Sequence, residues 1–290
     1  PPAADHSAAP VTWLALAALL CFAANSVLAR LALGHDLIDP GSFTAFRLAA
    51  GALVLTLAMR GRSRAGGATT LAARWIGAAL LFLYAAPFSF AYVSLPTGTG
   101  ALVLFGAVQL TMIGAGLRGG ERPHRREWAG LAIAAGGLVY LNLPGLGAPT
   151  PGGVALMAVA GVAWGLYSLR GRSAGAPLVR TAESFVFAMP LGLALAFLGA
   201  SHAHLTPAGV ACAVASGALA SGGGYAAWYA VLPSLSATRA GTIQLAVPVI
   251  AALAGTAILG ERISLRLTLA AAAVLGGVGW AISARVSREG

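Results

Sequence analysis

Gly120-Glu121-Arg122 and Gly260-Glu261-Arg262 are one tripeptide written twice, 140 residues apart in a chain of 290. Each copy closes one long apolar run and opens another. Each is followed by a glycine pair, Gly136-Gly137 and Gly276-Gly277, again 140 apart. A period close to half the chain marks an internal duplication, and the flanking apolar runs place that duplication in a membrane.

Composition supports this reading. Hydrophobic residues make up 58% of the chain and charged residues 9%, with a mean hydropathy of +0.83. Soluble domains carry roughly 25% charge, so a soluble core with a polar surface is excluded. The net charge of +10 comes entirely from arginine, with no lysine. Because the arginines fall between apolar runs, they report membrane orientation rather than a nucleic-acid surface. Cys21 and Cys212 sit in apolar stretches and read as small buried residues, not as a disulfide frame. His202-x-His204 offers a metal only two ligands, and Gly98-Thr99-Gly100 lacks a third glycine at Val103. No cofactor and no metal are expected. Residues 1–11 read as a disordered cytoplasmic tail.

A spanning helix needs about 20 largely apolar residues. Between Arg74 and Arg118 there is no charged residue, and Leu95-Pro96-Thr97-Gly98 divides that stretch in two. Trp128 to Leu169 is likewise free of charge and is divided between Pro144 and Pro149. Ser184 to Thr238 breaks near His202 to Pro207 and at Pro233-Ser234. These breaks predict helices near 12–33, 41–59, 74–94, 98–117, 127–143, 152–170, 181–200, 207–231, 238–259 and 265–284. The expected fold is an all-α integral membrane protein of ten transmembrane helices.

With the N-terminus in the cytoplasm, fourteen arginines lie in inner segments, while Arg30, Arg262 and Arg266 lie outside. That bias satisfies the positive-inside rule for a multi-pass protein of a bacterial inner membrane with both termini cytoplasmic. Because each set holds an odd number of helices, the second enters the bilayer from the opposite side. The halves, 12–143 and 152–285, are therefore inverted repeats, an architecture that encloses a site near mid-membrane.

On these residues the chain resembles the drug/metabolite transporter superfamily, and within it the EamA-type ten-helix transporters. The resemblance rests on the two Gly-Glu-Arg junctions, Trp164-Gly165-Leu166-Tyr167 in the sixth span and Phe22-Ala23-Ala24-Asn25 in the first. Phe46-Arg47 and Gln244-Leu245-Ala246-Val247-Pro248 add to it. The fourth span departs from the pattern, with Val108 where the ninth has Pro248. Tyr225-Ala226-Ala227-Trp228 is similar to a segment of bacterial aromatic amino-acid exporters. The resemblance implies a carrier and not an enzyme. It further implies export of small amphipathic metabolites, amino acids with aromatic side chains included, by alternating access. A broader drug or metabolite efflux carrier is the alternative within the superfamily.

Candidate binding groups are the polar and aromatic residues inside spans. Arg47 is the single charge well inside one. It either meets a substrate carboxylate or snorkels and bonds neighbouring helix ends. Asn25, Gln109 and Gln244 offer amides that must be paired in lipid, either across helices or with substrate. Tyr84, Tyr92, Trp164, Tyr167 and Trp228 either line a pocket for an apolar side chain or pack between helices. Trp13, Trp75, Trp128 and Trp280 stand towards span ends, as interface belts do. Glu121 and Glu261 are open to a proton-coupling role, but capping and pairing with the adjacent Arg122 and Arg262 is cheaper than burying a carboxylate. Glu183 beside Arg180 reads the same way. Pro87, Pro190 and Pro248 are expected to bend their helices. The acids or histidine pairs that a membrane transferase needs are absent, as are the rings of charge that line channels. The expected partners are a small-molecule substrate and the lipid bilayer, with the protein a monomer or weak dimer.

Overall fold

A computed structural model of the chain describes residues 8–60, 70–118, 125–145, 148–172, 177–231 and 243–289. The elements are α1 (Ala8–Gly34), α2 (Pro40–Ala58), α3 (Leu71–Tyr92), α4 (Thr97–Arg118), α5 (Arg125–Asn142), α6 (Pro151–Arg172) and α7 (Pro177–Leu198). There follow α8 (Pro207–Ala215), a π-helical segment (Ser216–Gly223), α9 (Gly224–Val231), α10 (Ala246–Leu259) and α11 (Leu265–Glu289). Because α8, the π segment and α9 run on as one rod, the chain forms ten helical rods at the ten expected positions. Seven are long and apolar enough to cross a membrane. Three fall short among the described residues: α5 because Arg125, Arg126 and Glu127 occupy its first turn, α10 because it has 14 residues, and α11 because its apolar stretch is Leu265–Ala281. The expected start of the ninth span, 238–242, lies outside the described residues. So do Glu121, Arg122 and the first Gly-Glu-Arg junction.

Local chemistry sets the helix ends. Asp39 caps α2 by accepting from the Ser42 amide at 2.9 Å, with Pro40 at the first helical position. Thr206 caps α8 in the same way through the Gly209 amide at 3.0 Å, followed by Pro207. These two turns are tied together. Thr206 donates its amide (2.9 Å) and its hydroxyl (2.7 Å) to the Leu37 carbonyl, and the Asp39 amide donates to His204 at 2.9 Å. Gly260 ends α10 at φ +67°, a left-handed conformation that favours glycine. The glycine of the second Gly-Glu-Arg junction is therefore a helix stop. The helix is interrupted at Leu245, with Ile243 and Gln244 helical before it and α10 resuming at Ala246, which is where the missing N–H of Pro248 leaves the Gln244 carbonyl without its i→i+4 donor.

The packing repeats itself about a two-fold relation. α2 faces its counterpart α7, α4 faces α10, and α5 crosses α11. The α3–α6 contact is matched by the α8–π–α9 rod against α1, and α3–α7 by the same rod against α2. Two inverted five-helix halves produce this pattern. Small residues let backbones approach. A Cβ on Gly161 would lie 2.5 Å from the Leu104 carbonyl, and one on Gly217 would strike the Arg47 carbonyl. The outside is apolar, with Phe197 and Leu198 about four-fifths exposed. On a membrane protein that surface meets lipid. Trp13, Trp75, Trp128 and Trp280 lie on it, whereas Trp164 and Trp228 are buried.

Candidate functional site

In the middle of the bundle, where α1, α3, α4, α6 and the π segment meet, lies a cavity of about 20 Å³, room for one water. Asn25 of α1, Tyr84 and Phe88 of α3, Trp164 of α6, and Ser221 and Tyr225 of the rod line it. Asn25 uses both ends of its amide. Its Nδ2 donates to the Tyr84 hydroxyl at 3.1 Å, and its Oδ1 accepts from Ser216. Lipid offers no water to an amide, so this pairing is what makes a mid-span asparagine tolerable.

Arg47 does not snorkel. It is 1% exposed, donates Nη2 to the Tyr84 hydroxyl at 2.8 Å, and holds its guanidinium 4.9 Å and 4.7 Å from the ring centres of Tyr84 and Phe88. Nη1 has no partner, and no acid reaches the group among the described residues. The guanidinium therefore stands behind Tyr84, one hydrogen bond from the cavity wall. A mid-membrane charge left this way costs about 3 kcal/mol or more, partly offset by two aromatic faces.

Rings continue from the cavity in both directions. Trp164 lies 5.0 Å from Tyr84 and stacks on Tyr225 at 5.1 Å and on Tyr167 at 5.5 Å. Tyr167 in turn walls a recess at the arginine-rich face, beside Arg74, Arg170, Arg180 and Glu183. Towards the arginine-poor face, Phe88 packs edge-on against Tyr92 at 4.8 Å. Beyond Tyr92 stands Arg30, which donates to the Tyr92 and Val93 carbonyls at 3.1 and 3.0 Å and pairs with Glu261 at 3.1 Å. Glu261 also accepts from the Thr97 amide at 2.8 Å, capping α4, and borders a recess of about 300 Å³. The cavity is therefore closed at both ends, and each closure joins one repeat to the other.

Two ion pairs differ from expectation. Glu261 reaches across the molecule to Arg30 rather than to the adjacent Arg262, because the turn after Gly260 aims it at the start of α4. Glu183 pairs with Arg74 of α3 at 3.1 Å, not with Arg180 one turn away.

The structure brings Asn25, Arg47, Tyr84 and Trp164 together at the centre. Tyr167 faces the arginine-rich recess. Tyr92 is fully buried, donates to the Thr97 carbonyl at 3.3 Å, and seals the opposite side. Trp228 packs on Phe22 at 6.0 Å behind the cavity wall. Gln109 is buried in α4 and Gln244 half-buried before α10, and neither lines the cavity. Sequence reasoning missed Phe88, Ser216, Ser221 and Tyr225. Ser216 and Ser221 are five apart, a spacing that shares no face of an α-helix. The i→i+5 bonding of the π segment aligns them. Their one visible signal was the run Ser221-Gly222-Gly223-Gly224, which permits such a distortion.

The EamA-like transporter family matches residues 151–283. An uncharacterised protein of Pseudomonas aeruginosa is 50% identical over 277 residues, covering 95% of both chains. A crystal structure at 22% identity superposes with a TM-score of 0.68 over 96% of this chain and 98% of its own, a likeness of fold.

Proposed function

Because this chain belongs to the EamA-like transporter family, and is a membrane transporter rather than an enzyme, we propose that it exports small amphipathic metabolites, amino acids with aromatic side chains among them. The observation that carries this reading is the central cavity. It is walled by rings and by hydrogen-bonding groups, and is closed at each end by contacts between the repeats. Opening the Arg30–Glu261 side or the Trp164–Tyr167 side in turn would expose one site to each face, which is alternating access. The positive-inside rule puts the arginine-rich face in the cytoplasm. In this scheme Asn25 and Tyr84, backed by Arg47, hold the polar end of the cargo, and Trp164 with Tyr225 stacks on its side chain. At about 20 Å³ the closed cavity admits no amino acid, so loading requires one end to open. Gln109 and Gln244 would meet cargo only in such an open form.

Counterflow in proteoliposomes tests the proposal. Tritiated phenylalanine should enter saturably, and several-fold faster when the vesicles hold unlabelled phenylalanine. Flux no greater than in empty vesicles, with cationic dyes carried instead, would point to the broader efflux carrier.

A further inference from the structure

The groups left unsatisfied around the central cavity say which cargo charge it accepts. Tyr84 receives two hydrogen bonds, from Asn25 at 3.1 Å and from Arg47 at 2.8 Å, which occupy both lone pairs of its oxygen. Its own O–H proton has no acceptor among the described residues. Ser221 is 2% exposed, lines the cavity, and has no partner for its hydroxyl among the described residues. The Asn25 carbonyl oxygen accepts from Ser216 and keeps one further lone pair. The wall thus holds two unused O–H donors, with an unpaired guanidinium behind them and no acid beside it among the described residues.

We propose that the preferred cargo is an organic anion: an aromatic carboxylate carrying no ammonium group, of the arylpyruvate or arylacetate type. The inference rests on reading the central cavity as the cargo site, and it narrows the substrate class of that site. A carboxylate accepts from Tyr84 and Ser221 and supplies the counter-charge that Arg47 lacks. An ammonium needs acceptors and an acid. Ser221 and Asn25 can accept from it, but among the described residues no carboxylate stands near the cavity to balance the charge. Of the acids, Asp36, Asp39, Glu127 and Glu261 lie at helix ends or in turns, and Glu183, in the second turn of α7, is paired with Arg74 at the arginine-rich recess. Of the other three, Glu289 ends α11, and Asp5 and Glu121 lie outside the described residues, near the N-terminus and between the fourth and fifth expected spans in sequence. A zwitterion would therefore bring a second cation to a site that already holds one uncompensated.

A separate observation at the arginine-rich face agrees. The recess walled by Tyr167 gathers Arg74, Arg170 and Arg180 around one acid, Glu183, which is already paired with Arg74. Arg170 and Arg180 have no ion pair among the described residues. A concave, net-positive mouth concentrates anions. From it the stack Tyr167–Trp164–Tyr225 runs to the central cavity, an apolar surface suited to the aryl part of the same molecule.

The test compares three labelled compounds of one shape in proteoliposomes of the full-length protein: phenylpyruvate, phenylalanine and phenylalaninamide. We expect phenylpyruvate to show a KM at least ten-fold below that of phenylalanine, and phenylalaninamide to show no flux above empty vesicles. The double variant Arg170→Gln, Arg180→Gln should raise the phenylpyruvate KM several-fold from the arginine-rich face with Vmax retained. Phenylalanine carried with an equal or lower KM than phenylpyruvate would overturn this inference and leave amino-acid export standing. If neither carboxylate moves while a cationic dye does, both are overturned.

Discussion

Replacing Arg47 by methionine should reduce flux at least about 100-fold while leaving the protein as stable as before, or more so. The two halves of this expectation have one cause. Arg47 is 1% exposed, donates Nη2 to Tyr84, and leaves Nη1 unpartnered among the described residues. Isolated buried cations are costly, and replacing them by apolar side chains of similar volume is often neutral or stabilising. A group retained at such a cost contributes to something other than folding. Under the proposed function it backs Tyr84 and supplies the charge opposite the cargo carboxylate, and truncating one partner of a buried charge pair costs about 2–5 kcal/mol, which is where the 100-fold loss comes from. Arg47→Lys keeps the charge but not the planar fork that reaches Tyr84 while lying against two rings. It should recover only a minor part of the flux. Melting of the detergent-solubilised protein, read beside proteoliposome flux, separates the two effects. A variant that loses flux and stability together would show Arg47 to be a packing residue.

The second large effect is expected at Gly277. There α5 and α11 cross with their backbones in contact. A Cβ on Gly277 would lie 2.5 Å from the Gly130 carbonyl and 2.7 Å from the Ala134 amide, and one on Gly130 would meet the Gly277 carbonyl. Gly137, the counterpart of Gly277, packs on Ala273 with a Cβ distance of 2.8 Å. Gly276 and Gly136, the first members of each pair, have nothing within 4 Å. Gly277→Leu must force the two helices apart, and overpacking against a rigid backbone costs about 3 kcal/mol or more. Gly276→Leu adds the same side chain one position away, on an open face, and should be tolerated. Size-exclusion profiles of the two variants check this directly. A well-folded Gly277→Leu protein would mean that the crossing is looser than its geometry indicates.

Much of the fold was legible because membranes restrict what a chain can do. Charge-free runs had to be helices, breakers such as Leu95-Pro96 had to be turns, and a repeat of 140 residues with an odd helix count had to be inverted. The site was less legible, since a one-dimensional pattern shows which groups are polar but not which share a cavity. Asn25, Arg47, Tyr84 and Trp164 converge because α1, α2, α3 and α6 do, and no spacing within one helix encodes that. Glu261 illustrates the same limit. Its nearest arginine in sequence is Arg262, yet the partner it reaches is Arg30, 231 residues away. Ser221 was hidden by the π segment, which breaks the periodicity on which face assignments rest.

The central claim is that one cavity is reached from each side of the membrane in turn. It is tested most directly by Ser221→Cys in a background carrying Cys21→Ser and Cys212→Ser, the two native cysteines being free and part-buried. A membrane-impermeant thiol reagent is applied to right-side-out and then to inside-out vesicles. The account predicts that the engineered thiol is modified from either face, and that cargo slows modification from both. Modification from one face alone, unaffected by cargo or by reversing its gradient, would contradict it.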